Sequence, residues 1–237
     1  MSASKKQAKR EAQRAMTDFE VSRRAIIKAA NETATGDAKD VTAGMGALLS
    51  FNKGGITASL SFTSPVSWPA DVLPFVFELT KRNMQAVYDA SEGWHWNDSS
   101  KRAELSDPDN RLIVVRDLES NAPVAFASFR FLLEGDAEVL YMFELQLSEA
   151  VQRRGLGKHL VVLLELIARQ QLMHKVVLTV LKANRGAVDF YTRLRYVIDE
   201  ESPSRCGDPD QPYEIMSKVV NQAAFAERAT RLGALRS

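Results

Sequence analysis

A predicted strand, a short loop with two glycines and an amphipathic helix follow one another directly between residues 139 and 167. Because Gly155 and Gly157 carry no side chains, the backbone of this loop can come close to a bulky anion. The first N–H groups of the helix point toward the same place, with the positive end of the helix dipole. The segment predicts a pyrophosphate site, although ordinary strand-to-helix turns also use glycine.

The spacing of the glycines separates this loop from two common phosphate-binding motifs. A Walker A loop ends in Gly-Lys-Ser/Thr, and the dinucleotide loop reads Gly-x-Gly-x-x-Gly. The segment Gly155-Leu156-Gly157-Lys158 has neither form. Nucleoside triphosphates and NAD are therefore disfavoured as ligands.

Hydrophobic periodicity predicts a mixed α/β fold for most of the chain. Helices are predicted at residues 3–30, from Pro69 to near Gly93, from Leu156 onward and at residues 184–194. Strands are predicted at residues 56–62, 112–115, 124–131, 139–147, 176–180, 196–198 and 213–216. The turn Glu134-Gly135-Asp136 joins two of these strands as an antiparallel hairpin.

Three parts of the chain differ in character. Residues 1–53 form a basic helical extension with a glycine-rich connection at residues 36–55, which we expect to be a loose loop. Residues 54–218 form the compact domain, in which a polar segment with Lys101, Arg102 and Glu104 precedes the strand at residues 112–115. Residues 219–237 are a C-terminal helix or tail. The basic extension is a nucleic-acid or nuclear-targeting patch or, as we favour, a solvated surface helix.

Composition narrows the function classes. A chain of 237 residues with 45% hydrophobic and 26% charged residues is typical of a globular protein with one large domain. One cysteine, Cys206, and three dispersed histidines argue against a disulfide framework and against a metal site. Apolar runs are short, and the N-terminus lacks a signal-like segment, so we expect neither secretion nor a membrane span.

Two motifs resemble those of the GNAT superfamily of acetyl-CoA-dependent acetyltransferases. Residues 152–157, Gln-Arg-Arg-Gly-Leu-Gly, resemble its pyrophosphate loop, Gln/Arg-x-x-Gly-x-Gly/Ala, and residues 184–191 resemble the second part of its signature. The resemblance implies a GNAT fold, a central twisted mixed sheet flanked by helices, with acetyl-CoA as cosubstrate and no metal. The implied acetyl-CoA-binding residues are Leu145, Gln146, Leu147, Gln152, Arg153, Arg154, Gly155, Leu156, Gly157, Lys158 and Asn184.

Further stretches resemble one subfamily, the NatD-type N-alpha-acetyltransferases, which acetylate the amino terminus of histones beginning Ser-Gly-Arg-Gly. Residues 79–85, 144–147 and 202–204 are among these stretches, and the basic extension is also similar. The resemblance implies histone N-terminal peptides as partners and, together with the lack of a signal-like segment, a location in cytoplasm and nucleus. We also expect a monomer without direct nucleic-acid binding. The implied peptide-binding residues are Tyr88, Trp94, Glu134, Tyr141, Phe143, Thr179, Glu201 and Tyr213.

The sequence departs from this subfamily in the predicted peptide pocket. Leu132 stands where the subfamily carries an aspartate, Phe143 replaces a tyrosine, and the stretch from Ser91 to Trp96 is one residue longer. The first two changes remove a charge and a hydroxyl from the pocket. An acidic rim could still hold a substrate arginine, or it could simply be solvated; its members are Glu134, Glu138, Asp199, Glu200 and Glu201.

The resemblance implies that Glu144 is the catalytic base. Its apolar neighbours Phe143 and Leu145 favour burial, which raises the pKa of a carboxyl group toward the range useful for accepting a proton from an amine. The alternative is an edge-facing or salt-bridged strand glutamate. Tyr191 is either the acid that protonates the CoA thiolate or a residue that packs against CoA.

The expected reaction is direct transfer, in which the deprotonated amine attacks the thioester and an N–H group near Leu145 stabilises the oxyanion. Cys206 lies in a Ser/Pro/Gly-rich loop without a neighbouring histidine, so it is disfavoured as a nucleophile. Two other functions remain open. One is acetylation of lysine side chains or small amines, and the other is a catalytically weak module that binds CoA or histones.

Overall fold

The computed structural model describes residues 3–32, 41–64 and 68–222. The α-helices within these ranges are α1 (Ala3–Glu32), α2 (Val72–Asp89), α3 (Asp98–Leu105), α4 (Leu156–Gln170) and α5 (Arg185–Arg193). The strands are β1 (Ser50–Lys53), β2 (Ile56–Thr63), β3 (Arg111–Asp117), β4 (Pro123–Glu134), β5 (Ala137–Leu147), β6 (Lys175–Leu181), β7 (Val197–Ile198) and β8 (Tyr213–Val219).

The eight strands form one mixed sheet in the order β1-β2-β3-β4-β5-β6-β8-β7. Strands β1 to β5 are antiparallel neighbours, β5 and β6 are parallel, and β8 pairs with β6 and β7 in antiparallel fashion. The connection between the parallel strands β5 and β6 contains α4, as a parallel crossover requires. The predicted α/β class with a mixed sheet is confirmed.

Helices cover both faces of the sheet. On one face α4 buries its predicted apolar side, and each of these residues has no exposed surface: Leu156, Leu160, Leu163, Leu164 and Ile167. On the other face Val76 and Phe77 of α2 pack with Leu105 of α3 against Val114 and Phe126.

The sequence analysis missed two elements. Strand β1 lies inside the stretch predicted to be a loose connection, and it pairs with β2 through the tight turn Gly54-Gly55. Both glycines have positive φ, 64° and 73°, which a two-residue turn of the type common in hairpins needs. Helix α3 lies in the polar segment, for which no helix was predicted, and Asn97 caps it by accepting a hydrogen bond from Ser100 N–H at 2.8 Å.

A buried arginine anchors α1 to the sheet. Arg23 is 3% exposed. Its guanidinium donates to Glu138 Oε1 at 3.2 Å, to Glu20 Oε1 at 2.9 Å and to the carbonyl oxygen of Gly135 at 3.0 Å. Glu138 therefore joins the helix to β5 instead of lining a substrate groove as expected.

Replacing Arg23 with methionine should lower the free energy of unfolding by about 3 kcal/mol, because the variant leaves Glu138 as a buried charge without its partner. Arg24→Met is the matched control, since Arg24 is exposed on the same helix and should change stability by less than about 0.5 kcal/mol. Urea unfolding followed by circular dichroism measures both values. Equal losses in the two variants would contradict the anchoring role.

No helix within the described residues combines the length and apolar character that a membrane crossing requires. Within the same ranges, no group of three or more His, Cys, Asp or Glu side chains is arranged to bind a metal ion. The predicted C-terminal helix or tail lies outside the described residues from position 223 onward.

Candidate active site

A β-bulge in β5 determines where the carboxylate of Glu144 lies. Ser128 pairs with Glu144, but the next residue of β4, Phe129, pairs with Met142, so Phe143 is an extra residue in β5. The bulge changes the alternation of β5 and brings Glu144 to the face covered by α2 and α3. Strict alternation would have placed this side chain on the α4 face.

The carboxylate of Glu144 is held at both oxygens. Lys101 Nζ of α3 donates to Oε1 at 3.2 Å, and Gln146 Nε2 donates to Oε2 at 2.7 Å. Glu144 is 6% exposed. Burial raises the pKa of Glu144 above its usual range, while Lys101 and the hydrogen bond from Gln146 oppose this shift.

A cavity opens where β5 and β6 stop pairing. Their parallel ladder ends at Met142 and Leu178, and beyond that point side chains of both strands line the opening. The cavity has a volume of about 530 Å³. We call it the carboxylate cleft; its wall includes Glu144, Tyr88, Trp94, Tyr141, Phe143 and Thr179.

A second cavity of about 730 Å³ adjoins the first along the predicted pyrophosphate loop. We call it the loop cleft; its wall includes Gln152, Arg153, Gly155, Gly157, Lys158 and Phe190. Leu145, Gln146 and Tyr191 line both clefts. A molecule bound in the loop cleft can therefore extend to the carboxylate of Glu144.

The loop cleft has the features of an anion site. Gly155 caps α4 with a φ of 95°, and the first N–H groups of that helix have no partners within the helix. A Cβ atom on Gly157 would lie 3.5 Å from Phe190 Cζ and would narrow the cleft. Arg153 and Lys158 add positive charge. A pyrophosphate fits these donors and this charge.

Aromatic rings close one side of the carboxylate cleft. The ring of Trp94 lies 5.3 Å from that of Tyr88 and 5.8 Å from that of Tyr213. Phe143 contacts Tyr141 at 4.9 Å, and the guanidinium of Arg130 lies 4.5 Å above Phe143. These rings form an aromatic wall on the same side of the cleft as Trp94 and Phe143.

The sequence model of the acetyltransferase (GNAT) family matches residues 73–196, which is more than half of the chain. This chain belongs to the GNAT family. The matched range contains Glu144, the bulge, the glycine loop and α5. The protein is therefore an acetyltransferase, and the acetyl donor of its family is acetyl-CoA.

Several solved structures are similar to this chain. NAA60 of Arabidopsis thaliana, in complex with a bisubstrate analogue, is 12% identical, with 69% of this chain and 100% of that chain covered and a TM-score of 0.48. Ard1 of Thermoplasma volcanium is 16% identical, with 69% and 98% covered and a TM-score of 0.49. PaiA N-acetyltransferase of Thermoplasma acidophilum, in complex with coenzyme A, is 14% identical, with 68% and 99% covered and a TM-score of 0.49.

Most of the residues predicted to bind acetyl-CoA line the loop cleft of this GNAT domain. Two of them do not. Leu156 has its side chain in the hydrophobic core, so only its backbone can reach a ligand. The guanidinium of Arg154 instead contacts the carbonyl oxygen of Gly54 at 3.5 Å.

Asn184 lines the loop cleft as predicted. It also caps α5 by accepting a hydrogen bond from Ala187 N–H at 3.2 Å.

The residues predicted to bind peptide separate into two groups. Tyr88, Trp94, Tyr141, Phe143 and Thr179 line the carboxylate cleft, and Tyr141 Oη and Thr179 Oγ1 are 2.5 Å apart. The other three do not line it: Tyr213 touches Trp94, and Glu134 and Glu201 lie at the turn between β4 and β5.

The charges near that turn are mostly negative. Asp199 is already paired with Lys175 at 2.6 Å. The pKa of Glu134 is raised, first by burial and then by repulsion from Glu201 and Asp199, while Lys175 opposes the shift. A cation bound between Glu134 and Glu201 would relieve this repulsion.

Sequence reasoning missed Lys101 and Asn83 at this site. Lys101 belongs to α3, a helix that was not predicted from the polar segment. Asn83 Nδ2 donates to Gln146 Oε1 at 3.0 Å and to the carbonyl oxygen of Leu147 at 3.1 Å. Asn83 stands in a stretch that was quoted for the subfamily resemblance, and that signal could have identified it as a residue that supports the site.

Proposed function

We propose that this GNAT enzyme is a NatD-type N-alpha-acetyltransferase that acetylates the free amino terminus of histones beginning Ser-Gly-Arg-Gly. The observation that carries the proposal is the place of Glu144, a buried carboxylate at the junction of two clefts. One cleft suits the pyrophosphate of acetyl-CoA, and the other is lined by aromatic side chains. Histone peptides as partners, a monomeric state and a location in cytoplasm and nucleus are parts of the same proposal.

In this proposal Glu144 accepts a proton from the substrate's α-ammonium group. The amine nitrogen then forms a bond with the acetyl carbon while the bond between that carbon and the CoA sulfur breaks. The leaving thiolate takes up a proton. Tyr191 is 8% exposed and lies in both clefts, and burial and the charge of Glu144 raise the pKa of its phenol. Because Tyr191 stays protonated at neutral pH and lines both clefts, it is the donor that we propose for this proton.

Recognition of an amino terminus is supported by the aromatic wall. The rings of Tyr88, Trp94 and Tyr213 pack against one another, and we propose that they limit the size of the first residue. A substrate arginine at the third position would lie between Glu134 and Glu201. These two carboxylates take over the role of the aspartate that Leu132 replaces.

Three peptides test the proposal: Ser-Gly-Arg-Gly with a free amine, the same peptide with a blocked amine and a downstream lysine, and Ser-Gly-Ala-Gly with a free amine. We expect turnover of acetyl-CoA with free amines only. The alanine peptide should lose about tenfold in kcat/KM, because the half-buried Glu134 and the exposed Glu201 lose a charged partner. Acetylation of the blocked peptide would instead identify a lysine acetyltransferase.

A further inference from the structure

A buried lysine stands between two carboxylates at the site. Lys101 is 5% exposed. Its Nζ lies 2.9 Å from both carboxylate oxygens of Glu104, 3.2 Å from Glu144 Oε1 and 3.1 Å from Tyr88 Oη. The ammonium group is also 5.1 Å from the centre of the Tyr88 ring. All of its donors are thus directed at oxygen atoms of the site.

The energetic cost of this arrangement indicates a role beyond packing. An ammonium group removed from water is costly unless charged partners surround it, and apolar residues would fill the same space at lower cost. For Lys101, burial alone lowers the pKa, but the attraction of Glu144 and Glu104 outweighs it and the pKa is raised. Lys101 is therefore a permanent positive charge 3.2 Å from the carboxylate of Glu144.

We propose that Lys101 is a positioning residue for Glu144: it fixes one carboxylate oxygen and maintains the ionised form that can accept the proton of the substrate amine. This inference rests on the proposed function, in which Glu144 is the base. Gln146 fixes the second oxygen and is itself held by Asn83. The carboxylate is thus held by both oxygens before a substrate arrives.

Other charged or titratable groups face the pair from each surrounding element. Glu104 of α3 acts in the direction opposite to Lys101, because its negative charge raises the pKa of Glu144. Burial comes first among the factors that raise the pKa values of the Tyr88 and Tyr191 phenols, so both stay neutral near pH 7. Arg130 of β4 is paired with Asp107 at 3.1 Å.

The pH dependence of kcat/KM for Ser-Gly-Arg-Gly tests the role of Lys101. In Lys101→Met the positive charge that lowers the pKa of Glu144 is gone, so this pKa should rise. The acid limb, which is the acidic side of the profile on which kcat/KM falls, should then move up by about one pH unit or more. Activity at pH 7 should fall about tenfold and recover at higher pH. Titration of the substrate amine affects the pH profiles of the unchanged enzyme and of Lys101→Met equally. The difference between the two acid limbs therefore reports on the pKa of Glu144.

A second variant predicts the opposite sign. Glu104→Gln removes the repulsion that Glu104 exerts on Glu144 and leaves Lys101 with one anionic partner, so the acid limb should move down. Lys81→Met is the matched control, because Lys81 joins α2 to α3 through Asp98 at 2.8 Å without touching Glu144. Its acid limb should stay in place. Acid limbs that do not move, or that move in the same direction for Lys101→Met and Glu104→Gln, would overturn the proposal.

A titration without substrate separates this inference from the proposed function. In protein labelled with 13C at glutamate carboxyl groups, the Glu144 signal is the one that Glu144→Gln lacks. Its midpoint should rise in Lys101→Met and fall in Glu104→Gln. If no peptide is acetylated but these midpoints move, the proposed function fails and the role of Lys101 stands. Unmoved midpoints would overturn the role of Lys101, and if Lys101→Met does not fold, Glu104→Gln decides alone.

Discussion

Replacing Glu144 with glutamine is expected to reduce kcat about a thousandfold while acetyl-CoA still binds with unchanged affinity. Glutamine has nearly the same shape and can still accept a hydrogen bond from Lys101, but it cannot accept a proton from the amine. Lys101 keeps Glu104 as a charged partner, so the fold should persist. Steady-state turnover and calorimetric titration with acetyl-CoA measure the two quantities.

Glu149→Gln is the matched control for this experiment. Glu149 follows β5 only five residues after Glu144, but it is exposed and lines neither cleft. Its variant should retain full activity. If Glu144→Gln turns over as fast as the unchanged enzyme, Glu144 is a structural glutamate. If neither protein has activity although both bind acetyl-CoA, the chain is a binding module.

The parts of the fold that could be predicted are those that a local sequence pattern determines by itself. The five apolar residues of α4 repeat at helical spacing, and all are fully buried. The turn at Gly135 joins β4 and β5 as its sequence predicts. By contrast, α3 buries one apolar side chain, Leu105, and one lysine, so it has no apolar stripe that periodicity could detect.

The burial of Glu144 was predicted from its apolar neighbours alone, and these do not determine the direction of its side chain. Its apolar neighbours favoured a buried strand position, but the direction of its side chain depends on the bulge at Phe143, which arises from pairing with β4. The partner of Glu138 was equally hidden, because Arg23 lies 115 residues away in the chain. Contacts between residues so far apart in the chain depend on how helices and strands pack together. Composition and local residue spacing therefore do not predict them.

Replacing Gly157 with aspartate is expected to weaken acetyl-CoA binding about a hundredfold without destabilising the protein. Gly157 is in the first turn of α4 and lines the loop cleft. The new carboxylate would lie at the N-terminus of α4, where it repels the pyrophosphate. It would also accept hydrogen bonds from the N–H groups that the pyrophosphate needs. Juxtaposed like charges cost several kcal/mol, and each 1.4 kcal/mol is a factor of about ten in affinity.

The free energy of unfolding of Gly157→Asp should rise slightly or stay constant, although acetyl-CoA binding becomes weaker. A carboxylate in the first turn of a helix interacts favourably with the helix dipole, by about 0.3 to 1 kcal/mol. Loss of binding with an unchanged melting temperature therefore separates ligand contact from folding. Gly46→Asp adds the same charge at an exposed position with open space around it and should bind acetyl-CoA normally. If Gly157→Asp bound acetyl-CoA as tightly as this control, the pyrophosphate would have to lie away from α4.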